Sequence, residues 1–202
     1  VTPPGLRERK KLETHRTIAL AALRLIDERG LDQVTVDDIA AAAGVSARTF
    51  FNYFAVKEDA VLLAYADHAE RAEQTIARFV AQPAGIDAFP AFIATVREDL
   101  AEIERDRDEW LTRLRIIHGD PSLLIRATVL NSGSRDPMIA AIAQRSGTDA
   151  ENDLFPSLLL AVAGGVLNTS LSRWAAGNGT QPLLEIFDEA AAAAAAGLPD
   201  PR

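Results

Sequence analysis

Thr35-Val36-Asp37-Asp38-Ile39-Ala40-Ala41-Ala42-Ala43-Gly44-Val45-Ser46-Ala47-Arg48-Thr49-Phe50-Phe51-Asn52-Tyr53-Phe54 is the stretch whose reading decides the fold. Thr35 is placed to cap a short helix whose first turn carries two acids, Asp37 and Asp38, where the positive helix end favours them. Gly44 lets the backbone turn sharply, and Ser46 caps a second helix read over residues 47–54. Ile39 and Val45 can pin the two helices to one core. Phe50 and Phe54, four residues apart, share one face of the second helix and are expected in that core. Helix, turn, helix is the result.

The other face of the second helix has a different character. Ala47, Arg48, Thr49, Phe51, Asn52 and Tyr53 mix small, aromatic and hydrogen-bonding groups, an unusual composition for a merely solvated surface. An α-helix fits the major groove of duplex DNA, where Arg48 can read guanine and Asn52 adenine. Thr35, Ser46, Thr49, Tyr53 and Lys57 are candidates for the backbone and phosphates. The aromatic group Phe50, Phe51, Tyr53 and Phe54, taken alone, fits ordinary core packing better than a DNA surface.

Working outward, Ile18, Ala22 and Leu25 form an apolar stripe on a helix over about residues 7–29, ended by Gly30. A long fourth helix is expected from Lys57 to Val80, ended before Pro83, with residues 82–86 as the break between regions. Asp120-Pro121 and Asp136-Pro137 mark two further helix starts, and Gly147 closes the second. Asp149 can open a long helix reaching Trp174, with Pro156 predicting a kink or a late start. A last helix over residues 182–196 ends in seven consecutive alanines, followed by Gly197 and Pro199. Helical spacing runs almost throughout, so the fold class is all-α.

The net charge of −8 argues at first against a nucleic-acid partner. Its distribution answers the objection. Residues 1–60 hold nine Lys and Arg against nine Asp and Glu, so all the excess acidity lies downstream. Arg7, Arg9, Lys10 and Lys11 form a basic N-terminal arm suited to phosphate or the minor groove, or to being a solvated tail. No cysteine is present, which excludes thiol nucleophiles and Cys-ligated metal and fits a reducing cytoplasm. The polar start lacks a secretory pattern, and the longest apolar run, residues 158–167, is about half the ~20 residues of a membrane helix. A cytoplasmic protein without a membrane partner is therefore expected. His15, His68 and His118 are dispersed and no hydrolase, phosphate-loop or dinucleotide fingerprint occurs, so an enzyme is not expected, nor a metal or cofactor.

Gly44-Val45-Ser46, followed in order by Thr49-Phe50-Phe51, Tyr53-Phe54 and Lys57-Glu58, resembles the DNA-binding signature of the TetR family of transcriptional regulators, over about residues 10–63. Asp37 and Asp38 depart from it, standing where family members often direct groups at phosphate. The resemblance implies a helix-turn-helix DNA-binding domain over residues 1–56 and a helical effector-binding and dimerisation domain over residues 57–202. It implies a homodimeric repressor released from a double-stranded operator by a small hydrophobic effector; the downstream layout resembles a subset whose effectors include acyl thioesters. The alternative is an architectural or division-control DNA-binding protein of the same fold without an effector. Phe92, Val96, Trp110, Leu114, His118, Arg126, Phe155, Asn168 and Trp174 are the pocket candidates, chosen by type and helix position. Leu158, Val162, Gly165, Val166 and Thr169, with Leu183, Leu184, Ile186 and Phe187, are the candidates for a dimer face, or for ordinary monomer core.

Overall fold

A computed structural model describes residues 5–198. Val1–Pro4, which begin the basic arm, and Pro199, read as a stop for the last helix, lie outside the described residues. Among those described, every regular element is helical, and the chain divides into two compact units.

The first unit holds residues up to Ala69 together with Ile116–Ala127. Helix α1, Leu6–Arg29, buries Ile18, Ala22 and Leu25 and stops at Gly30, whose positive φ of 85° suits glycine. Arg7, Arg9, Lys10 and Lys11 occupy its exposed first turns. A 3-10 turn, Leu31–Gln33, leads to α2, Val36–Ala42, and α3, Ala47–Phe51. Ile39, Phe50 and Phe54 close the core with Ala60 and Val61. Fully burying a side chain of phenylalanine size contributes about 1.5–3 kcal/mol, so Phe50 and Phe54 do much to hold α3 and the residues after it in this core.

The long fourth helix expected over residues 57–80 is two helices. Helix α4 is Lys57–Leu62 and α5 is His68–Ala81. Leu63 leaves helical geometry at φ −91° and ψ 80°, with neither glycine nor proline to announce it. Both halves are amphipathic, so their periodicity reads as one helix, but they serve different cores: Val61 lies in the first and Phe79 in the second. Packing therefore divides the chain differently from the linear boundary at 56/57.

The second unit contains α6, Ala88–Arg105, α9, Arg135–Ser146, α10, Leu154–Ala176, and α11, Leu183–Ala195, with most of α5. Helices α7, Arg107–Gly119, and α8, Pro121–Asn131, carry residues of both units, because Ile116–Ala127 belongs to the first. Helix α10 starts late, as Pro156 predicts; the proline is its third residue, in the first turn where an N–H has no intrahelical partner. Phe79, Phe92, Leu100, Ile142, Leu159, Trp174 and Phe187 form the core of this unit.

Candidate nucleic-acid interface

The turn before α3 is fixed by backbone geometry. Gly44 has a φ of 68°, which costs a residue with a Cβ, and Val45 donates its N–H to the carbonyl of Ala40 at 2.9 Å. Ser46 Oγ accepts from the Thr49 N–H at 3.1 Å and lies 2.8 Å from Thr49 Oγ1. Both hydroxyls are engaged in the cap, so they begin the helix as well as standing at its exposed end. The α-helix ends at Phe51, three residues short of the expected 54, because the Asn52 and Tyr53 N–H groups turn to carbonyls three residues back. Phe54 remains on the buried side.

Arg48, Phe51 and Asn52 are exposed, spaced to share one face of α3 and its last turn. Phe51 is 57% exposed although its ring packs edge-on against Phe50 at 5.5 Å. Ala47, Thr49 and Tyr53 are half-buried; the Tyr53 ring meets His15 of α1 with centroids 6.3 Å apart. The surface so presented carries a guanidinium, an amide and an apolar ring, which are groups that read base edges.

Two residues expected at phosphates hold the motif together as well. Thr35 and Asp38 form a capping box: the Thr35 N–H and hydroxyl donate to Asp38 Oδ2 at 2.9 and 2.6 Å, and the Asp38 N–H returns to Thr35 Oγ1 at 3.2 Å. These bonds hold the Asp38 carboxyl below its ordinary pKa, the Thr35 side chain first and its backbone second. The acid that departs from the family pattern thus folds α2. Lys57 donates through Nζ to the carbonyls of Leu31 at 2.7 Å and Val34 at 3.0 Å. An ammonium has three protons, so one remains for a phosphate.

In the second unit, Phe92, Val96, Leu114 and Trp174 are buried in one cluster, with Trp110 packed against it. Phe155 and Asn168 are exposed on α10, away from that cluster. His118 and Arg126 fall within the segment that belongs to the first unit, and Arg126 makes a two-pronged ion pair with Asp59, Nε to Oδ1 at 2.8 Å and Nη2 to Oδ2 at 3.0 Å. The expected dimer face also separates into two groups. Leu158, Val162, Gly165 and Thr169 are exposed, whereas Val166, Leu183, Ile186 and Phe187 are buried in their own chain's core and Leu184 packs against it. Inward and outward rows of α10 differ by one or two residues, and an apolar helix gives little contrast between them. Helix α10 alone, among the described residues, is long and apolar enough to cross a membrane, with mean hydropathy 1.6, yet only 28% of that window is buried within the chain.

The ion pair of Arg126, which the sequence offered only as a pocket candidate, and the role of Arg145 were not legible in the sequence. Besides Arg126, Arg145 of α9 donates to five carbonyls, those of Phe79, Val80, Gln82, Pro83 and Ile86, and stands 5.3 Å from the Phe79 ring centroid. Their partners lie about 60 or more positions away, so no local pattern carries the signal.

This arrangement is that of a helix-turn-helix DNA-binding regulator with a second, helical unit. Residues 18–64 match the bacterial regulatory proteins of the tetR family, and residues 88–199 match the MftR C-terminal domain. The transcriptional regulator TcmR of Streptomyces glaucescens is 31% identical over 167 residues, covering 79% of this chain and 72% of TcmR. The fatty acid degradation regulator FadR of Bacillus halodurans superposes with a TM-score of 0.62 at 18% identity, over 99% of this chain and 100% of that one. Thermus thermophilus FadR, a TetR-family repressor solved with lauroyl-CoA, superposes with a TM-score of 0.56 at 23% identity, over 93% and 96%. The chain belongs to the TetR family of transcriptional regulators.

Proposed function

We propose that the protein is a homodimeric repressor that acts on DNA in the cytoplasm, lays α3 in the major groove, and leaves its operator when an apolar small molecule binds the second unit. The observation that carries the DNA-reading part is the exposed face of Arg48, Phe51 and Asn52 on a helix fixed by Gly44, Ser46 and two buried phenylalanines. Arg48 reads a guanine, Asn52 an adenine, and Phe51 supplies apolar contact to a thymine methyl. Tyr53, Thr49 and the third proton of Lys57 hold phosphates.

Glycines support the dimer. Gly164 and Gly165 sit mid-helix in α10 and are exposed, at about 1 kcal/mol each relative to alanine. A Cβ on either would meet nothing within 4 Å inside the chain. That open surface leaves room for a second α10 to approach closely along Leu158, Val162 and Thr169. The apolar effector is supported by the lauroyl-CoA in complex with Thermus thermophilus FadR; Phe92, Val96, Trp110, Leu114 and Trp174 form the apolar interior in which such a ligand has to open its site.

The deciding experiment selects binding sites from a random duplex library with the full chain, then measures affinity for the selected operator as fatty acyl thioesters, free fatty acids and aromatic drugs are titrated in. Trp fluorescence is followed in parallel. Operator release and the fluorescence change are expected to share one midpoint. A compound that binds stoichiometrically and leaves operator affinity unchanged excludes induction by that compound, since equal affinity for both states shifts nothing.

A further inference from the structure

We propose that Arg126 is a positioning residue for operator recognition: its bidentate ion pair with Asp59 sets α4, and α4 sets the turn from which the helix-turn-helix begins. The proposal rests on the reading that α3 contacts DNA.

Asp59 lies in the first turn of α4 with its side chain only 4% exposed. A carboxylate so buried must be paired, and the guanidinium fork of Arg126 fixes both its distance and its plane. Apolar residues of similar volume commonly fill such a place at no loss of stability, so what the ion pair adds is orientation. Leu123, three residues before Arg126 and on the same face of α8, is fully buried in the first unit's core, as are Ala60 and Val61 beside Asp59. The start of α8 and the apolar side of α4 are thus held in one core.

Two residues before Asp59, Lys57 bonds the carbonyls of Leu31 and Val34. Val34 is 1% exposed and precedes Thr35, the cap of α2. One turn of α4 therefore holds Arg126 at one residue and the beginning of α2 at another. Helix α4 has only six residues. If Arg126 is removed, the cheapest relief for the stranded carboxylate is movement of that turn toward water, which carries Lys57 and the α2 cap with it. Attraction between a cation and phosphate falls off slowly with distance, so that of the displaced Lys57 outlasts a small shift, whereas the directional hydrogen bonds of base reading do not.

The test uses the full chain with Arg126→Gln, Arg126→Lys and the double variant Asp59→Asn/Arg126→Gln. The readout is the ratio of affinities for the selected operator and for a scrambled duplex at fixed salt, measured with dimer mass and melting midpoint. Arg126→Gln is expected to lower the ratio about tenfold or more, with affinity for the scrambled duplex within about twofold of the parent. The double variant, a neutral amide pair, is expected to recover most of that loss. Arg126→Lys keeps the charge but loses the fork, and is expected to fall between. A folded Arg126→Gln with the parental ratio overturns the proposal; should that variant not fold, a parental ratio in Arg126→Lys overturns it. Arg48→Ala separates the two readings: if it too binds like the parent, the assignment of α3 has failed, and if it alone loses base preference, only the role of Arg126 has.

Discussion

Arg48 is exposed on a helix of five residues, and truncating it leaves the core of Phe50 and Phe54 untouched. Arg48→Ala is expected to relax preference at one operator position by about 1–3 kcal/mol, with helicity and dimer mass unchanged, as read by affinity for operators altered at single base pairs. Asp38 makes a prediction in pH. Its carboxyl is held below its ordinary value by Thr35, so its contribution to stability is complete above the ordinary carboxylate pKa and is lost as pH falls through the lower, folded value. Asp120 and Asp149 are lowered in the same way by Ser122 and by the N–H groups of Asn152 and Glu151. The melting midpoint should therefore fall in acid below the usual carboxylate range, and Asp38→Ala should remove part of that slope. At this scale much was legible. Gly44, Ser46, Phe50, Phe54 and the capping Thr35 declare themselves through local geometry, whereas the role of Lys57 in holding the motif depends on which carbonyls the fold brings near.

Among the elements, α1 to α3 were readable because caps and glycine stops act within a few residues. The break between α4 and α5 was not, since no glycine or proline marks Leu63 and the apolar period continues through it. Helix α5 ends under Arg145, whose five carbonyl contacts take the place of a glycine cap. Arg145→Ala removes the shared donor of five carbonyls, those of Phe79 and Gln82 part-buried, and should destabilise the protein by about 1–3 kcal/mol, measured by urea unfolding. Helix α10 shows why the inward and outward rows of an apolar helix could not be told apart in the sequence. It is apolar nearly all round, so Val166, which faces inward, and Val162, which is 40% exposed, look alike in sequence. Gly165→Leu tests the outward row. It should convert the dimer to a monomer in solution while leaving helicity at or above the parental level, because leucine is the better helix former.

For the whole molecule, acidity and DNA binding are compatible because the acid excess lies outside the first 60 residues. Operator affinity should still fall steeply with salt, in proportion to the phosphates neutralised, despite the net charge of −8. The family resemblance implies a second helical domain after residue 56, and the chain packs as two compact units with a different division. That Ile116–Ala127 returns to the first unit was not legible, because pairing between distant segments leaves no period to detect. A two-fold dimer requires an operator with matching symmetry, its half-sites about one helical turn, roughly 34–36 Å, apart. Hydroxyl-radical footprinting of the selected operator, with the bound mass measured on the same complex, tests this directly. The account predicts a dimer protecting two symmetry-related major-groove faces, both lost with Arg48→Ala and Asn52→Ala combined. A monomer protecting a single half-site, or protection that survives both substitutions, would contradict it.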